Sequence, residues 1–407
     1  MAVERVPTLV IGGGQAGLTM SHHLKQRGLP HLVVERGRIG ERWKSERWDG
    51  LKFQFPNWSV RLPDFPFPHT DPDGFADLGA IVNFIDAYAG FVAPPIRCGV
   101  NVVRLSRDSA SGFLAETSDG LIAAQNVVVA TGPYQRPIVP DVLRDDAELF
   151  QVHAAQYTRP GQLPGDAVLV VGAGASGAQI AEELHRAGRR VFLSVGQHTR
   201  LPRRYRGHDL IWWFEQLGLF ERRPEERGPV RVYPSITGAY GGHTIDFRRF
   251  AAKGITLLGR IVAARDRVLD IAPGLARSIA EADLYYATFL DMADDYARRC
   301  GLNLAEDSAA RVSLPDPPCV TEPIHQLDLA AERISAVIWA TGYGVNFDWI
   351  DCPVFDGKGV PVQQGGVTAV GGLYFLGLQW MSKMASSFLS GVGDDAAVLA
   401  GHIAARG

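Results

Sequence analysis

Two stretches far apart in the chain each read as an apolar strand, a glycine-rich turn and the start of a helix, and nothing else in the sequence narrows the fold as much. The first is Thr8-Leu9-Val10-Ile11, then Gly12-Gly13-Gly14-Gln15-Ala16-Gly17, then helical sequence to about Arg27 and a second strand at His31-Leu32-Val33-Val34-Glu35. The other is Ala167-Val168-Leu169-Val170-Val171, then Gly172-Ala173-Gly174-Ala175-Ser176-Gly177, a helix to about Ala187 and a return strand at 191–195. Continuous Val/Leu/Ile runs joined through a helix mark strands buried on both faces. Each stretch therefore predicts a βαβ unit of a parallel, doubly wound sheet.

The glycine spacing gives each position a separate duty. Gly12 and Gly172 allow the tight turn, Gly14 and Gly174 let a pyrophosphate approach the backbone, and Gly17 and Gly177 let helix and strand pack closely. Free N–H groups at the helix starts, carried by Gln15, Ala16, Ala175 and Ser176, sit at the positive end of the helix dipole and suit phosphate oxygens. Glu35 closes the second strand, where a carboxylate takes adenosine ribose hydroxyls. The matching strand end in the second unit is Ser194-Val195-Gly196, with no acid, and Arg200, Arg203 and Arg204 follow. A missing acid with guanidinium groups nearby suits a 2′-phosphate, which assigns Arg200 and Arg203 as its ligands. The expected fold class is α/β with two Rossmann-like dinucleotide-binding domains, the second inserted in the first. One nucleotide would be resident and the other a visiting reductant, and hydride transfer from a nicotinamide to a flavin is the simplest chemistry needing both.

With 407 residues the chain exceeds one ordinary core. The division predicted is 1–158 and 330–407 for the first domain and 159–329 for the second. Ala130-Thr131-Gly132 and Ala340-Thr341-Gly342 end strands near the crossings and read as hinges. A helix over 277–300 carries Ile279, Tyr286, Phe289, Ala293, Tyr296 and Cys300 at helical spacing, a packing stripe. A net charge of −3 gives no reason to expect nucleic acid or an anionic membrane as partner. No run reaches the ~20 apolar residues that span a bilayer. Because the first strand already serves the glycine motif, the N-terminus reads as part of the fold and the expected location is cytoplasmic. The four cysteines form no C-x-x-C pair, so no redox dithiol is expected, and the histidines lack metal-ligand spacing.

The sequence resembles the class B flavoprotein monooxygenases, a family that includes flavin-containing monooxygenases, indole-3-pyruvate monooxygenases and shorter bacterial relatives. The resemblance rests on both glycine motifs with Glu35, on Gly40-Glu41-Arg42-Trp43, Arg47-Trp48-Asp49 and Leu62-Pro63-Asp64-Phe65-Pro66-Phe67-Pro68, and on the two Ala-Thr-Gly strand ends. It implies FAD at the first motif and NADPH at the second. It also implies a flavin walled by the segment carrying Arg42, Trp43 and Trp48, with Thr131, Gly132, Thr341 and Gly342 beside the cofactors. Gln54 or Asn57 would supply an amide near the flavin, and His153 and Tyr157 would order the linker around the nicotinamide nucleotide. Asp394, reached through Gly391 and Gly393, would approach the flavin nucleotide or simply cap the last helix. The implied reaction is reduction of FAD by NADPH, addition of dioxygen at flavin C4a and transfer of one oxygen atom to a small apolar or aromatic substrate. The implied partners are that substrate and dioxygen, and the expected assembly is a homodimer. An NAD(P)H oxidase or dehydrogenase and a flavin-binding redox sensor share these motifs. A disulfide reductase would need the cysteine pair that the sequence lacks.

Overall fold

The computed structural model describes residues 3–108, 112–144, 146, 148–228 and 234–406. The chain opens with β1 (Val3–Ile11), turns through the first glycine run into α1 (Gln15–Gln26) and returns as β2 (His31–Glu35). Residues Thr8 to Ile11 pair in parallel with His31 to Val34. The aromatic stretch that follows holds a short helix α2 (Glu41–Ser45), a 3-10 turn at Asn57–Ser59 and a two-residue hairpin of Arg61–Leu62 with Phe65–Pro66. It then enters α3 (Leu78–Val92), whose first turn is capped by the Asp77 carboxylate accepting from the Ala80 N–H at 2.8 Å.

The strands β3 (Ile96–Cys98), β4 (Val102–Asp108), β5 (Gly112–Thr117) and β6 (Gly120–Val129) complete most of the first sheet. β6 runs parallel to β1 along its length, and its first half also pairs antiparallel with β5. The strands β7 (Phe150–His153), β8 (Ala167–Val171) and β9 (Arg190–Ser194) lie in a second sheet, with α4 (Ala175–Arg186) between the last two. Further along come α5 (Leu210–Gln216), β10 (Thr256–Leu258), α6 (Leu275–Arg299), β11 (Ile334–Trp339), β12 (Leu373–Phe375) and α7 (Val392–Ala404). The second sheet is five-stranded and wholly parallel, in the order β7-β11-β8-β9-β10. β12 returns to the first sheet beside the second half of β6.

Alternation along the central strands explains both layers. Val10 faces α1, α3 and α7 in a core with Leu18, Leu24, Phe84, Tyr88 and Leu399, whereas Leu9 and Ile11 face Phe113, Val127 and Phe375 on the other side. β8 repeats this, with Val168 and Val170 against Ile180 and Leu184 of α4, and Leu169 and Val171 against Val337 and Trp339. A further core gathers α5 with the stripe of α6, where Tyr286, Phe289 and Ala293 are buried while Cys300 is exposed. Leu210, Ile211, Trp213 and Phe214 belong to this core.

The sheets correct the expected crossings. β7 and β11 fall within 1–158 and 330–407, yet both hydrogen-bond into the second sheet, and β11 is flanked by β7 and β8. The crossings therefore lie between β6 and β7 and after β11. A short apolar strand does not declare which of two sheets it joins, because both have buried faces to offer.

Candidate dinucleotide sites

The two glycine turns are built alike. Gly12 has φ +115° and Gly172 φ +107°, conformations that L side chains rarely adopt. A Cβ on Gly12 would meet the Ala130 carbonyl oxygen at 2.5 Å, and one on Gly172 would meet that of Ala340 at 2.4 Å. Each Ala-Thr-Gly strand end is thus the wall against which a glycine turn is pressed. Gly17 and Gly177 stand closer still, because a Cβ there would lie 1.8 Å from the Gly12 carbonyl and 1.9 Å from that of Gly172.

The middle glycines differ in kind. A Cβ on Gly14 or Gly174 would meet nothing within 4 Å, so the space outside each turn is free for a ligand. Both are the N-cap residues of their helices, α1 and α4, and neither helix start receives a side-chain cap or carries an acid in its first turn. Uncapped helix-start N–H groups above an open glycine surface fit the pyrophosphate of a dinucleotide. Gln15, Ala175 and Ser176 are half-buried at these starts, and Ala16 is buried.

Around the first turn, the Glu35 carboxylate accepts from the Gly13 N–H at 2.6 Å and from the Gly37 N–H at 2.8 Å. It is fixed at the end of β2 with lone pairs to spare for ribose hydroxyls. The Gln15 amide accepts from Trp43 Nε1 at 3.1 Å and donates to the Ser387 carbonyl at 3.0 Å, joining the helix start to the aromatic segment and to the loop before α7. Arg42 pairs with Glu46 at 2.6 Å and reaches the Gln135 carbonyl at 3.3 Å. The Gln135 amide in turn donates to Thr131 Oγ1 and the Gly132 carbonyl. From Trp43 the rings of Phe53 and Phe55 continue to Phe220 and Phe388, with centroid separations of 5.3–6.1 Å. Segments distant in sequence thus meet in one aromatic cluster. Of the two candidate amides, Asn57 donates to the Asp71 carbonyl at 2.9 Å and ties down its own loop. Gln54 is half-buried on the same segment.

Several expected residues lie elsewhere. Trp48 is buried in the core of the second sheet with Tyr157 and Leu163, so it is not a wall of the first cradle. His153 donates from Nε2 to the Gly342 carbonyl at 3.0 Å and accepts from the Ala155 N–H on Nδ1 at 3.1 Å. Tyr157 donates to Glu183 at 2.8 Å. Both are buried struts of the linker with their polar atoms already partnered, and burial holds the His153 imidazole below its usual value. Thr341 Oγ1 likewise donates to the Ile138 carbonyl. Asp394 faces solvent and pairs with Lys383 at 2.5 Å. Its neighbour Asp395 is the inward one, buried, accepting from Ser382 and with Oδ2 unpartnered, its carboxyl pushed up by burial. Two adjacent aspartates at a helix start cannot be told apart without knowing which face packs.

The largest correction concerns the 2′-phosphate. Arg200 is buried over the Tyr286 ring and pairs with Asp283 at 2.5 Å. Arg203 is 2% exposed and forks onto Asp209. Neither is a free cation at the end of β9, where Gly196 and Gln197 are the residues open to solvent. The sequence did carry a sign of this, since Asp209 directly precedes α5 and caps it through the Ile211 N–H at 2.9 Å. Among the described residues no group of three His, Cys, Asp or Glu side chains gathers as a metal site needs, and no helix is long and apolar enough to cross a membrane.

Residues 9–206 match the family described as pyridine nucleotide-disulphide oxidoreductase. An uncharacterized oxidoreductase named CzcO-like from Geobacillus kaustophilus is 32% identical over 402 residues, covering 98% of each chain. A probable indole-3-pyruvate monooxygenase, YUCCA1 of Arabidopsis thaliana, is 32% identical over 208 residues, 49% of each. Among solved structures, the flavin-containing monooxygenase from Stenotrophomonas maltophilia superposes with a TM-score of 0.67 at 19% identity, over 99% of both chains.

Proposed function

Because the chain belongs to the family of CzcO-like oxidoreductases, we propose that it is an FAD-dependent monooxygenase reduced by NADPH, with FAD in the first cradle and the nicotinamide dinucleotide in the second. One observation carries this reading: two open, uncapped glycine cradles stand on separate sheets of one chain. A single dinucleotide would leave one of them without purpose. When bound, the flavin supplies hydride acceptance and dioxygen activation.

The residues of the chain bind, orient and exclude water. Glu35 takes the ribose of the first nucleotide, and the N–H groups of α1 take its pyrophosphate. Trp43 and the aromatic cluster of Phe53, Phe55, Phe220 and Phe388 form an apolar wall, which favours an apolar or aromatic substrate and keeps bulk water away. Of the two amides, Gln54 is the candidate for the reacting centre, because the Asn57 amide donates to the Asp71 carbonyl. At the end of β9 the Ser194 hydroxyl is turned to the Gly259 carbonyl, and residues 194–197 carry no carboxylate that would repel a 2′-phosphate.

The test is an ¹⁸O₂ experiment on FAD-loaded protein with NADPH and a panel of aromatic compounds. The reading expects NADPH to bleach the flavin anaerobically and one ¹⁸O atom to enter a product for each NADPH consumed. Stoichiometric hydrogen peroxide with every compound, and no labelled product, would make the protein an oxidase instead.

A further inference from the structure

Arg203 is held by partners on three separated segments. Its Nε and Nη2 grip both oxygens of Asp209 at 2.7–2.9 Å. Its Nη1 donates to the Gln54 carbonyl at 2.7 Å and faces the Thr237 carbonyl at 3.4 Å. The Phe75 ring lies 4.6 Å from the guanidinium carbon, and the Arg203 N–H donates to Thr244 Oγ1 at 2.9 Å. Gln54 and Phe75 belong to the aromatic segment and its continuation after β2, whereas Asp209, Thr237 and Thr244 belong to the stretch between β9 and β10.

The Thr237 loop also reaches the second cradle. Ser235, two residues earlier, donates to the Ala173 carbonyl inside the glycine turn at 2.7 Å. The seam is tight here, since a Cβ on Gly238 would lie 2.0 Å from the Phe53 carbonyl oxygen and one on Gly242 would lie 2.6 Å from the Phe75 ring. One guanidinium thus ties the loop that braces the nicotinamide cradle to the segment that carries Gln54. A planar fork with fixed donor directions does this, and a point charge does not.

We propose that Arg203 is a positioning residue at the seam between the two sheets, holding the Gln54 segment in register with the second cradle, and that it is not a phosphate ligand. The inference rests on FAD occupying the first cradle. Asp209 is its obligatory partner, so the two residues act as a unit.

The experiment compares Arg203→Ala, Arg203→Lys and Asp209→Asn in FAD-loaded protein. It records the visible circular dichroism of the bound flavin, the anaerobic reduction rate, and KM with NADPH and with NADH. The expected result is a changed flavin dichroism in all three variants and reduction slowed by ~10-fold or more, on the scale that small misplacements produce. The NADPH:NADH ratio of KM values should stay within about 3-fold, because no phosphate contact is lost, and Lys should not restore the wild-type signal. If Arg203→Ala does not fold, Arg203→Lys and Asp209→Asn carry the same comparison. An unchanged dichroism together with a ~10-fold loss confined to NADPH and rescued by Lys would overturn the proposal. A wild-type chain that takes up no FAD would instead defeat the cofactor assignment on which it stands.

Discussion

The glycines of one motif can be separated by what each would collide with. Gly12 is held at φ +115° against the Ala130 carbonyl, so Gly12→Ala meets both backbone strain and a 2.5 Å contact. Strain of this kind costs about 1–3 kcal/mol, and the collision adds to it. Gly14 has an ordinary extended conformation and open space around it. The expected outcome is that Gly12→Ala lowers the melting temperature of the cofactor-free protein. Gly14→Val should leave it within a degree or two and weaken FAD binding by ~10-fold or more, the crowding being felt only by the ligand. Thermal melts without cofactor and fluorescence titration with FAD check the pair, and equal destabilisation of the apo protein by both changes would contradict this division of duties. The motif spacing announced these roles. The role of Arg200 was not legible, because a run of arginines advertises charge while its counter-ion Asp283 sits on α6, which only the fold brings back. The partner of Arg203, Asp209, lies six residues on, just before α5, and is marked only by its capping position.

At the scale of elements, the linker strand β7 is fixed to the second Ala-Thr-Gly end by His153. Its hydrogen bonds require the neutral ring with the proton on Nε2, which donates to Gly342 while Nδ1 accepts from Ala155. Burial lowers its proton affinity below the ordinary value of 6.5, and burial likewise lowers those of His31 and His198. The unfolded chain therefore binds more protons than the folded one once the pH drops below about 6.5. Stability present above that pH should decline as the pH falls toward the depressed folded values. Melting temperatures measured from pH 7.5 to 5 should fall, and His153→Gln, though less stable, should fall less steeply. Parallel curves for the two proteins would show that this ring does not titrate with unfolding. The βαβ units themselves were plain in the sequence, since continuous apolar runs flanking glycine admit few other structures. The membership of β7 and β11 was not, because strand partners are chosen by the whole sheet.

At the scale of the whole molecule, the two main sheets, one mixed and one wholly parallel, each carry a glycine cradle pressed against an Ala-Thr-Gly wall, with an aromatic cluster and the Arg203 clamp where their segments meet. This duplication explains why the fold and both cradles could be read from a single sequence, whereas the seam could not. The seam is made of contacts between segments such as Gln54 and Thr237, and no local pattern records them. The central claim is that the two cradles are separate sites holding different dinucleotides at once. It is tested most directly by titrating NADP⁺ into FAD-saturated protein by calorimetry, for the wild type and for Gly174→Val. The account predicts one bound FAD per chain that NADP⁺ does not displace, one NADP⁺ per chain in the wild type, and loss of NADP⁺ binding with FAD retained in the variant. Displacement of FAD by NADP⁺, or loss of FAD on changing Gly174, would contradict it.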